Sequence, residues 1–133
     1  MKIVLIVVGI VVVLCCCGGG VGAYLFFDDR TKGAREATSA FLSDLESGDL
    51  AAAYGRLCDG TKARYEQSSF EATVNKRKQV SHDLHWGGAY SNDDGLETAT
   101  ITVDVTYSTG AKDAHAFPLR KEAGTWKVCG NPY

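Results

Sequence analysis

Thr98-Ala99-Thr100-Ile101-Thr102-Val103-Asp104-Val105-Thr106-Tyr107 alternates without interruption. Ala99, Ile101, Val103, Val105 and Tyr107 fall on one face of an extended chain, with Thr98, Thr100, Thr102, Asp104 and Thr106 on the other, because successive strand side chains point to opposite sides. One apolar and one polar face mean a sheet buried on one side and wet on the other, the pattern of antiparallel sheets. Working outward, turn-forming clusters appear at Ser91-Asn92-Asp93-Asp94-Gly95, Ser108-Thr109-Gly110 and Glu122-Ala123-Gly124. They delimit strands over about 80–90, 97–108, 113–121 and 125–130. Four strands with short connections form a meander.

Upstream of residue 80 the period changes. Ala34, Ala37, Phe41 and Leu45 recur every three or four residues, with Arg35, Glu36, Ser43, Asp44 and Glu46 off that stripe, which makes an amphipathic helix. Ser47-Gly48 ends it, and Asp49 can cap a second helix from Leu50 to about Leu57. Asp59-Gly60 breaks that helix, with room for a further turn between Thr61 and Gln67. Ser68-Ser69-Phe70-Glu71 has capping-box spacing and opens a third helix, which puts Phe70 and Val74 on one face and ends near Lys78 to Val80. Helices gathered before a sheet define a segregated α+β fold, three helices packed on a four-stranded antiparallel sheet.

The segment Ile3 to Phe27 contains no charged residue. Its 25 residues reach about 37 Å as a helix, against about 30 Å of bilayer hydrocarbon. Three readings compete: a retained transmembrane helix, a secretory signal cut after Val21-Gly22-Ala23, and a lipoprotein signal at Cys15, Cys16 or Cys17. Tyr24-Leu25-Phe26-Phe27 continues the apolar run past the cut site, and no small residue directly precedes Cys15. Both facts favour the retained helix. The expected division is therefore 1–28, a single transmembrane helix with a short cytoplasmic start, and 29–133, an extracytoplasmic domain.

Charge alone does not orient the helix, since Lys2 faces Arg30, Lys32 and Arg35 across it. Two cysteines, Cys58 and Cys129, remain outside the apolar segment. Paired, they require an oxidising compartment and close a loop of about 70 residues; two buried free thiols are the alternative. The partners this location implies are the lipid bilayer and a neighbouring envelope protein. Fourteen basic against 16 acidic side chains leave a net charge of −2. That balance excludes a nucleic-acid surface, and the basic run Lys76-Arg77-Lys78 reads as a solvated helix end.

The order of helix, Ser47-Gly48-Asp49-Leu50 link, helix, helix and sheet resembles the nuclear transport factor 2-like, or cystatin-like, cone folds. More narrowly, it resembles a domain of small membrane-anchored actinobacterial proteins. Phe41-Leu42, Cys58 and Trp126-Lys127-Val128-Cys129 carry the rest of the resemblance. It implies a curved sheet whose concave face, covered by helices, encloses a pocket. Some relatives are isomerases or dehydratases and others only bind or associate, so the fold does not select among them.

A proton-transfer site needs an acid or base projecting into such a pocket. Asp104 shares the wet face with Thr102 and Thr106. His115 shares parity with Phe117 and Leu119, and His82 with Leu84 and Trp86, so both rings can point inward. Tyr54, Tyr65 and Tyr107 carry hydroxyls that can line the same space. On a strand, His82 and His85 diverge, which argues against a shared metal. No phosphate loop, nucleophile elbow or zinc-protease helix is present, and no cofactor is implied. The candidate pocket residues are thus His82, His115, Tyr54, Tyr107 and Trp86.

Three functions fit this chain. The first is a non-catalytic binding module for a small apolar ligand or envelope protein, with the threonine face open to self-association. The second is an isomerase or hydro-lyase using a pocket histidine. The third is a structural or regulatory part of a membrane assembly, contacted through Gly18-Gly19-Gly20.

Overall fold

The alternating segment becomes the central strand of the structure, a computed structural model that describes residues 30–131. Strand β3 (Leu96–Tyr107) buries Ala99, Ile101, Val103, Val105 and Tyr107, each at most 6% exposed, and leaves the intervening threonines and Asp104 on the far face. Strand β4 (Lys112–Glu122) pairs with it from Thr98↔Arg120 to Thr106↔Lys112, and β5 (Thr125–Val128) pairs with β4. The other edge of β3 is shared by two shorter strands laid end to end. Strand β1 (Gln79–Leu84) pairs with its second half and β2 (Ala89–Asp93) with its first.

The sheet therefore has five strands where the sequence suggested four, because the expected 80–90 strand is broken at 85–88. Gly87 adopts φ +91°, outside strand geometry, and a Cβ on Gly88 would lie 2.7 Å from Ile101 Cδ1. An arginine from the helical layer fills the break, with Arg35 Nη1 donating to the carbonyls of His85 (2.9 Å) and Gly87 (3.2 Å). Backbone acceptors released from the ladder thus find a partner.

Four helical segments among the described residues cover the apolar face, one more than the three expected. Helix α1 runs over 30–47 and buries Ala34, Phe41, Leu42 and Leu45. Gly48 (φ +81°) ends it, and Asp49 caps α2 (Leu50–Gly55) by accepting from Ala52 N at 3.1 Å. Asp59–Lys62 forms a single turn, α3, at the point where the sequence suggested a break. Helix α4 (Gln67–Lys76) begins earlier than the capping-box reading placed it. Glu66 is the cap residue, Ser68 lies inside the helix, and Gln67 Nε2 donates to Glu71 at 2.8 Å, so the box does not form. Phe70 and Val74 are buried, as their shared face required.

Phe41 joins the two layers, its ring 6.4 Å from Phe70 and 6.3 Å from Phe117. Cys58, just before α3, and Cys129, just after β5, form a disulfide. The same junction is held by Cys58 N donating to Val128 O and Val128 N to Arg56 O. No helix among the described residues is long and apolar enough to cross a membrane. The 1–28 anchor expected from sequence lies outside the described residues.

Candidate functional site

The inward face of β3 ends in Val105 and Tyr107, and His115 and Phe117 follow Asp113 on the facing side of β4. Around that end of the sheet stand Leu45 from α1, Val74 and Lys76 at the end of α4, Arg77 in the link that follows, and Gln79 at the start of β1. They line a partly open cavity of about 290 Å³. Leu45, Val74, Val105 and Phe117 give it an apolar floor. Its rim is polar: Lys76, Arg77, Gln79, Tyr107 and His115.

The rim groups contact one another. Tyr107 Oη and His115 Nε2 lie 2.9 Å apart, with the direction of the hydrogen bond set by the ring tautomer. Asp113 Oδ2 stands 3.4 Å from His115 Nε2 and 3.4 Å from Arg77 Nη2. The Arg77 guanidinium lies 4.1 Å from the Tyr107 ring centroid, a cation–π contact. Burial pushes the Tyr107 phenol above its ordinary value near 10, Arg77 pulls it back and Asp113 raises it. The phenol is therefore neutral through the physiological range.

That shift has a testable sign. The folded chain holds the Tyr107 proton more tightly than the unfolded chain, so unfolding releases it at alkaline pH. The associated stability is fully present below about 10 and is lost as pH rises through the higher folded value. In an alkaline absorbance titration, Tyr107→Phe is expected to remove a late-titrating phenol and flatten the fall in stability above pH 10. An unchanged titration would contradict it.

Of the candidate pocket residues read from the sequence, Tyr107 and His115 meet in the cavity. The others do not. His82 faces α1, where Nδ1 lies 2.5 Å from Glu46 Oε1 and Nε2 lies 3.4 Å from Ser39 Oγ. Gln79 Nε2 donates to the same Glu46 oxygen at 3.1 Å, linking this cluster to the cavity wall. Tyr54 donates to the Tyr65 carbonyl at 2.8 Å and packs on Phe70, away from the cavity. Trp86 lies in the break of the β1–β2 edge with 68% of its surface exposed. His85 pairs with Asp104 at 2.9 Å on the outer face, opposite to His82.

No family model matches the chain, and no curated protein does. Among solved structures, the fold is similar to that of a Campylobacter jejuni protein named as an NTF2-like transpeptidase. The two are 15% identical with a TM-score of 0.43, over 68% of this chain and 92% of that one. No residue role is transferred from it.

Ser39, His82 and Glu46 have the connectivity of a nucleophilic triad, hydroxyl to one ring nitrogen and carboxylate to the other. Ser39 sits mid-helix, however, where the neighbouring amides are spent within α1 and offer no oxyanion pair. The cluster instead fastens β1 to α1. Sequence reading gave neither histidine a carboxylate partner. For His115 a signal existed, since Asp113 lies two residues earlier on the same strand face. For His82 none did, because Glu46 reaches it only through the packing of α1 on β1.

Proposed function

We propose that this chain is a membrane-anchored, extracytoplasmic binding module whose cavity beside Tyr107 and His115 holds a small, largely apolar ligand. One observation carries the reading: a concave apolar space of about 290 Å³ ringed by a few convergent polar groups, the usual make-up of a small-molecule site. The Cys58–Cys129 bridge supports an oxidising location, and the uncharged run Ile3 to Phe27 supports the anchor.

The test uses the full chain in lipid nanodiscs, with empty nanodiscs as the blank and phenylpropanol as an uncharged probe. Val105→Trp fills the cavity from β3 and is expected to weaken saturable binding about tenfold or more, the equivalent of 1.4 kcal/mol. Thr102→Trp, on the opposite sheet face, is expected to leave binding unchanged. Equal binding by both variants would remove the cavity from the proposal.

A second reading, an isomerase or hydro-lyase, is favoured by the Tyr107–His115 contact inside the cavity, a phenol poised beside a base. It assigns proton transfer to His115, because His82 is absent from the cavity lining. Exchange of α-protons of an aromatic ketone in deuterated buffer, lost in His115→Ala, distinguishes it from binding alone. The absence of exchange in the parent chain would retire it.

A further inference from the structure

We infer that the ligand carries a carboxylate, and that Arg77 receives it by giving up Asp113; this deepens the binding reading above and rests on it. The donor inventory of the rim points that way. Lys76 and Arg77 offer only N–H groups, and burial keeps the Tyr107 phenol protonated. Gln79 already spends its amide nitrogen on Glu46. Lys76 and Arg77 thus bring two cations to the rim. Of the two carboxylates nearby, Glu46 is already held by His82 and Gln79, which leaves Asp113 as the one facing Arg77.

The Arg77–Asp113 pair is loosely made. Its N···O distance is 3.4 Å through one nitrogen, and the side chains are 55% and 48% exposed. A solvated pair of that kind contributes little, so exchanging Asp113 for an incoming carboxylate sacrifices little. Meanwhile the guanidinium is kept over the cavity by its stacking on Tyr107. A planar fork held in place is the group suited to bidentate capture of a carboxylate. The apolar floor of Leu45, Val74, Val105 and Phe117 then takes the body of the molecule. An aromatic or short aliphatic acid has both parts. A neutral alcohol of equal size has only one.

The experiment compares phenylpropanoate with phenylpropanol on the full chain in uncharged nanodiscs at neutral pH, by ligand-observed NMR. The acid is expected to bind at least about tenfold more tightly than the alcohol, as one charge-assisted hydrogen bond supplies. Arg77→Gln is expected to bring that ratio close to one. Asp113→Asn, which removes the competing carboxylate, is expected to move the ratio the other way and strengthen acid binding. Equal binding of acid and alcohol by the parent chain would overturn the inference while leaving the cavity reading intact. So would a preference that survives Arg77→Gln. Failure of both probes to bind would overturn the cavity reading, and this inference with it.

Discussion

Replacing Cys58 and Cys129 together by alanine is expected to lower the unfolding free energy by about 4 kcal/mol, from the chain-entropy cost of a loop this long. The bridge spans 71 positions and joins the start of α3 to the end of β5. The backbone bonds at that junction, Cys58 N to Val128 O and Val128 N to Arg56 O, do not involve the sulfurs and are expected to persist without them. The loss therefore falls on the unfolded chain, which regains freedom that the cross-link had removed. Alanine is preferred to serine because Cys58 is 4% exposed, and a hydroxyl there would need a partner. For a domain of this size the change is on the order of 20 °C in the melting midpoint. Thermal unfolding of the full chain with and without reductant checks it, and the reduced parent is expected to coincide with the double variant. A midpoint indifferent to reductant would contradict both the stabilising role of the bridge and its value as a marker of an oxidising compartment.

Period and parity made the sheet legible. Alternation over Thr98 to Tyr107 placed five side chains inward, and the structure buries all five. The same argument put Asp104 outside and His115 inside, because strand geometry is local and a single residue's parity fixes its face. What depended on another element was not legible. The break at 85–88 needs Arg35, fifty positions away in the chain, to satisfy the freed carbonyls. Ser68-Ser69-Phe70-Glu71 matched a capping box in letters, yet α4 starts at Gln67 with Glu66 as its cap, which places Ser68 within the helix.

The site divided along the same line. Tyr107 and His115 could be read from parity, whereas Arg77, in the middle of what looked like a solvated basic run, joins them only because α4 delivers its last turn over Tyr107. Trp86 shows the limit of parity most plainly. It keeps phase with His82 and Leu84 on paper, but the strand stops at Leu84, and beyond that point alternation no longer assigns a face.

Phe41→Ala is expected to be the most damaging single core substitution, with a loss of about 3–5 kcal/mol. Phe41 has no exposed surface and touches Phe70 of α4 and Phe117 of β4, so its ring is where the helical layer meets the sheet. Truncation leaves a void between two aromatic neighbours anchored in different elements, which cannot both collapse into it. Val74→Ala removes less and lies beside a space that is already open, so about 1–2 kcal/mol is expected there. Thr102→Ala, on the wet face, is expected to change stability by less than about 0.5 kcal/mol. Urea denaturation of the three variants checks the order, and a Phe41→Ala loss no greater than that of Val74→Ala would contradict it. The void acts on the folded state and the disulfide on the unfolded one, so the two effects should add. Their sum, about 7–9 kcal/mol, falls within the whole stability range of domains this small. Reduced Phe41→Ala is therefore expected to be largely unfolded at 25 °C, while the oxidised variant and the reduced parent each remain folded.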